Sequence, residues 1–86
     1  MDKKTHTVYI IECINESYYT GYTTNIERRY QEHVAGTNKC KYTRAFPPKR
    51  LIATWEFNNK SDALRFESQI KSLSRSEKEK LLLRNN

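Results

Sequence analysis

The chain is poor in the residues that punctuate or staple a fold. Of its 86 residues only two are glycine, two proline and two cysteine. Two cysteines, Cys13 and Cys40, cannot build a disulfide framework. No CxxC or HxxxH pair supplies the closely spaced ligands of a four-coordinate zinc. Cys13 lies in an apolar pattern and reads as a small buried hydrophobe. There is no long hydrophobic run. The polar start, MDKKTH, leads into only a few apolar residues, too few for a signal peptide or a membrane span. A cytoplasmic protein is therefore expected. No block of like charge marks a disordered arm, because acidic residues are interspersed among the basic ones. Internal repeats, linkers and low-complexity tracts are missing too. Residues 1–86 should form one compact domain, since a smaller unit could hardly bury a core of its own.

What is present is positive charge and aromatic surface. Sixteen Lys and Arg against ten Asp and Glu leave a net charge of +6. That balance points towards a polyanion, with nucleic acid the expected partner. The hydrophobic fraction is only 36%, but six tyrosines, three phenylalanines and a tryptophan add enough apolar area for a small core.

Thr7 to Ile14 is β-branched and nearly all apolar, as suits a strand covered on both faces. Alternation puts Val8, Ile10 and Ile14 on one face and Tyr9, Ile11 and Cys13 on the other. Asn15-Glu16-Ser17 reads as a turn, so Tyr18–Gly21 should return antiparallel. Thr24 is then the expected N-cap of a helix over Asn25–Val34, with Glu27 completing a capping box and Gly36 closing it. On that helix Ile26, Tyr30 and Val34 form the apolar stripe, bordered by Arg29 and His33, while Arg28 points away. Residues 35–48 read as an irregular basic segment ended by Pro47-Pro48. Lys49–Phe57 alternates as a third strand, with Leu51, Ala53, Trp55 and Phe57 on one face. Ser61 should cap a helix over Asp62–Leu73, whose apolar face is Ala63, Phe66, Ile70 and Leu73 with Glu67 at its edge. Ser74-Arg75-Ser76-Glu77 is a second capping box, starting a basic terminal helix over about 75–84 that should present a solvated face. The expected class is α+β, a three-stranded antiparallel sheet flanked by helices.

The stretch YYTGYTTNIERRYQEH, Tyr18 to His33, joins a strand, a glycine and a helix loaded with ionisable groups, a compact place to hold a phosphate. Taken in order, a strand tyrosine (Tyr9), Tyr-x-Gly (Tyr19-Thr20-Gly21), a helix arginine (Arg29) and a later helix glutamate (Glu67, in ALRFESQIK) resemble the GIY-YIG nuclease superfamily. The likeness is greatest to its small single-domain bacterial branch and covers roughly residues 7–73. In Thr7-Val8-Tyr9 only the tyrosine matches Gly-Ile-Tyr, and Thr20 replaces isoleucine in the second motif. His33 falls where the family often has His or Tyr. The asparagine that some members use after the glutamate has no match, since Asn85 and Asn86 stand at the end of the chain.

The resemblance implies hydrolysis of DNA phosphodiesters with a single Mg²⁺ or Mn²⁺ held by Glu67, a hard ion that takes one or two carboxylates and keeps several waters. In that scheme Tyr9 is the general base, Tyr19 positions the water, and Arg29 meets charge developing on the phosphate. Arg29 and His33 should also favour the Tyr9 phenolate, which needs help from its ordinary pKa near 10. Gly21, beside the scissile phosphate, and Lys41, Tyr42 and Arg44 are candidate nucleic-acid contacts. With no base-reading element in the sequence, specificity should come from DNA structure, such as branched or damaged forms, or from a protein partner. A monomer is expected. Two other functions fit the same residues: a catalytically weak nucleic-acid-binding module of the same fold, and a structural domain whose tyrosines are only core.

Overall fold

The structure, a computed structural model, describes residues 5–37 and 40–84; Asn85 and Asn86 lie outside them, as does the side chain of Arg84. The elements in order are β1 (His6–Cys13), β2 (Tyr18–Thr23), α1 (Ile26–Ala35), α2 (Lys41–Ala45), β3 (Pro48–Phe57), α3 (Lys60–Lys71) and α4 (Arg75–Arg84). The three strands form one antiparallel sheet in the order β2-β1-β3. This is the expected α+β architecture.

The near-continuous apolar run puts β1 in the centre, where both of its faces are covered. Val8, Tyr9, Ile10, Ile11 and Cys13 are all buried. Tyr9, Ile11 and Cys13 form a cluster with Tyr19, Ile26 and Tyr30, so α1 seals that face. On the other face Val8 pairs with Trp55 and His6 with Phe57, and both aromatic rings meet Phe66 of α3 at 5.1 and 5.3 Å. Ile14 falls beyond the strand and is exposed. Its amide instead donates to the Pro47 carbonyl at 2.9 Å, tying the hairpin tip to the start of β3. The hairpin closes without an Asn-Gly pair because Glu16 takes the left-handed conformation (φ 66°) while the Asn15 side chain accepts from Ser17.

Several local expectations shift. Asn25, not Thr24, caps α1, accepting from the Arg28 amide at 3.1 Å, and Asn59, not Ser61, caps α3 by accepting from Asp62 at 2.8 Å. Asparagine caps as well as serine or threonine, so neighbouring candidates compete and tertiary placement decides. The buried face of α1 centres on His33, and Val34 is exposed. The segment 35–48, read as irregular, contains the short helix α2. The register of β1 against β3 slips between Ile10 and Ile11, so Ala53 pairs with Ile10 and Leu51 with Ile11. That bulge at Ile52 puts Leu51 over α1 and Ile52 beside Leu82 of α4, against the simple alternation. The second capping box forms as expected, with Ser74 and Glu77 exchanging bonds at 2.8 and 3.2 Å. The helix it starts is not wholly solvated. Lys78 is buried and donates to the Tyr18 carbonyl at 3.2 Å, and Arg75 lies over the Tyr18 ring.

Candidate active site

Tyr9 leaves the central strand on the α1 face with 1% of its surface exposed. Its hydroxyl meets His33 Nε2 at 2.8 Å, and His33 Nδ1 meets Thr43 Oγ1 at 2.6 Å. Thr43 donates its one hydroxyl proton to the Cys40 carbonyl at 3.3 Å. With that bond made, Thr43 accepts from His33 Nδ1–H and Nε2 accepts from the Tyr9 hydroxyl; in the other His33 tautomer both directions reverse. The three side chains form one hydrogen-bonded line, Tyr9 to His33 to Thr43. Tyr19 packs edge-on against His33 at 5.2 Å and beside Tyr9 at 6.4 Å.

Burial sets the protonation of this line. His33 is completely buried, and desolvation together with the Arg29 charge lowers its pKa to about 4. Burial also pushes the Tyr9 phenol up to about 12, against the opposing pull of the neighbouring Arg29 guanidinium. Both groups are therefore neutral at pH 7. This corrects the expectation that His33 and Arg29 bring out the Tyr9 phenolate. The histidine carries no charge, and desolvation outweighs the arginine. Arg29 is held from the other side by Glu32 at 3.0 Å.

Gly21 lies in the middle of β2, paired with Tyr9, and does not end the strand. A Cβ there would overlap the Tyr9 hydroxyl and ring, so the tyrosine occupies the space a side chain would fill. That packing accounts for the glycine without a phosphate. Tyr42 stacks on Tyr19 at 5.6 Å and bonds Ser17 Oγ through its hydroxyl, while Lys41 and Arg44 are exposed on α2.

Glu67 comes from a different element. It rides on α3, which covers the opposite face of the sheet, and it pairs with Lys71 of its own helix at 3.3 Å. Its side chain is 16% exposed. The structure brings Tyr9, Tyr19, Arg29, His33 and Tyr42 together, while Glu67 is carried by α3. Among the described residues no group of three or more His, Cys, Asp or Glu could hold a metal. A lone, partly exposed carboxylate fits a hard divalent ion that keeps most of its waters. The residue that sequence reasoning missed is Thr43. Its role depends on α2 turning it inward, and the only local signal was a hydroxyl three residues after Cys40, able to bond a carbonyl one turn back.

A central strand tyrosine, a glycine opposite it, and a helix arginine and histidine beside it define a known class of domain. The chain matches the GIY-YIG catalytic domain family over residues 5–80 and belongs to that family. Its relatives are small UPF0213 proteins, archaeal as well as bacterial. It is 51% identical over 77 residues to one from Halalkalibacterium halodurans, covering 90% of this chain and 81% of that one. It is 52% identical over 77 residues to one from Natronomonas pharaonis, covering 90% and 89%. The fold matches the solution structure of the UPF0213 protein of Bacillus halodurans with a TM-score of 0.59 at 50% identity, covering 91% and 82% of the two chains. It matches a protein of E. faecalis with a TM-score of 0.65 at 42% identity, covering 94% and 85%. Family membership supports a nuclease-like function acting on nucleic acid.

Proposed function

We propose that the protein is a metal-dependent endonuclease that hydrolyses DNA phosphodiester bonds, and that Tyr9, Tyr19, Arg29, His33 and Glu67 carry the reaction. The observation that supports this reading most is the buried line from Tyr9 through His33 to Thr43. With His33 protonated at Nδ1, Tyr9 donates its proton to His33 while its oxygen accepts from Arg29. Burial disfavours both ions, so complete transfer from the resting tyrosine to the histidine is uphill. Neither ion is formed in advance. The coupled path is cheaper: the attacking water gives its proton to Tyr9 as Tyr9 passes its own to His33. The imidazolium that results is the net acceptor, and Thr43 keeps its ring in place throughout. Arg29, beside Tyr9, faces the charge that builds on the phosphate oxygens. Tyr19 holds the water and the His33 ring. Glu67 would anchor a single Mg²⁺ or Mn²⁺, which when bound supplies Lewis-acid polarisation of the phosphate.

One observation favours a second reading. Tyr9 is almost wholly buried, which suits a catalytically weak nucleic-acid-binding module that keeps the fold and its basic surface. The two readings part on one experiment. Purified protein is incubated with plasmid and branched DNA, with Mg²⁺, Mn²⁺ or EDTA. On the nuclease reading, metal-dependent cleavage falls by roughly 10²–10⁴-fold in Tyr9→Phe and is abolished in Glu67→Ala. Equal cutting by wild type and Glu67→Ala would sink it. Salt-sensitive retention of DNA without cutting selects the binding module.

A further inference from the structure

Next to the Tyr9 line, a row of aromatic rings runs from the core outwards to the surface. Tyr19 and Tyr42 are stacked at 5.6 Å with only 21° between their planes, and Phe46 follows Tyr42 at 5.2 Å. Tyr42 is 38% exposed and Phe46 40%. The row is anchored at its inner end, where Tyr19 meets His33 edge-on at 5.2 Å. It is also pinned from the side, because the Tyr42 hydroxyl bonds Ser17 of the β1–β2 turn. The Phe46 amide closes α2 onto the Tyr42 carbonyl at 2.9 Å, and Pro47, the next residue, accepts from Ile14. Lys41 and Arg44 are exposed on the same short helix.

Rings left half open to water and held at a fixed angle are well suited to binding flat ligands. Ordering cost is low because the rings are already held. The combination of stacked aromatic faces with nearby cations on the same helix is the chemistry that takes unpaired nucleobases, the bases stacking while the cations meet the phosphates. A paired base in a duplex offers its faces to its neighbours and cannot use the row.

We propose that Tyr42 and Phe46 form a stacking platform for unpaired bases next to the site, making single-stranded DNA or an unpaired segment the protein's substrate class. Tyr19 links the platform to the Tyr9 line, so a base seated on Tyr42 places the adjoining backbone towards Tyr9 and Arg29. The proposal rests on the nuclease reading for what happens to that backbone, but the seating of the base does not depend on cleavage.

The test is therefore a binding measurement in EDTA, made by fluorescence anisotropy with a labelled thymidine oligonucleotide and a blunt duplex of equal length at one salt concentration. Wild type should bind the single strand at least tenfold more tightly than the duplex. Phe46→Leu keeps an apolar side chain but loses the π face. It should weaken single-strand binding by roughly five- to a hundredfold, the loss expected for one stacked base, with duplex binding unchanged. Tyr42→Phe keeps the ring and should bind single strands within about threefold of wild type, whereas Tyr42→Leu should not. Amide spectra of each variant establish that it is folded. Equal affinity for single strand and duplex, or a folded Phe46→Leu that binds single strands as wild type does, overturns the proposal. Tight single-strand binding with no cleavage on addition of Mg²⁺ supports the platform and counts against the nuclease reading alone.

Discussion

At Tyr9 and His33, burial moves two pKa values in opposite directions to the same end, since each shift favours the uncharged form. This has a consequence for stability. The folded pKa of His33, about 4, lies below the ordinary value near 6.5. Between those two values the unfolded chain binds a proton that the folded chain does not, so stability rises with pH across the window and is lost as pH falls through it. The loss should approach about 3 kcal/mol from pH 7 to pH 4. Urea midpoints over that range should show it, and His33→Gln should flatten the dependence. Equal slopes in the two proteins would contradict the buried neutral histidine. The lowered carboxyl pKa values of Glu12, beside Arg50, and Glu77, bonded to Ser74, act mainly below this window. The identities of Tyr9, Arg29 and His33 were legible in the sequence from order and helix face. Their protonation states were not, because desolvation depends on what packs around them.

Among the elements, β2 shows most directly how packing fixes the site. Gly21 faces Tyr9 across the strand pair, and the tyrosine hydroxyl fills the space of the missing side chain. Gly21→Ala should therefore destabilise by about 1–3 kcal/mol, the usual cost of overpacking, and should push Tyr9 off His33. A thermal melt checks the first effect. The second appears as a lost or shifted His33 ring resonance; an unshifted resonance in a fully stable variant would contradict the packing. Two other elements depended on more than local pattern. Strand β3 alternates as its sequence suggests only as far as Ala53, where the bulge at Ile52 exchanges the faces of Leu51 and Ile52. Helix α2 has five residues, too short to show a period, so the segment around Thr43 gave no helical signal. By contrast the Ser74–Glu77 box formed as written, because both its partners lie within one turn.

For the molecule as a whole, the net charge of +6 is the property that acts at longest range. If three phosphates are neutralised on binding, DNA affinity should fall about fortyfold between 50 and 200 mM salt, with a log–log slope near −2.7. Anisotropy titrations at four salt concentrations measure that slope directly, and a slope near zero would remove the electrostatic basis of the nucleic-acid reading. Among the described residues, no helix is long and apolar enough to cross a membrane. The sequence by itself determined the class of fold, the central place of β1 and the family, since apolar runs, alternation and motif order are local properties written along the chain. Only the tertiary structure decided that Thr43 completes the Tyr9–His33 line, that Gly21 makes room for a tyrosine, and that α3, which carries Glu67, packs on the sheet face of Trp55 and Phe57. Each depends on which surfaces meet when strands and helices from distant parts of the chain close over one another, and no spacing of residues encodes that contact directly.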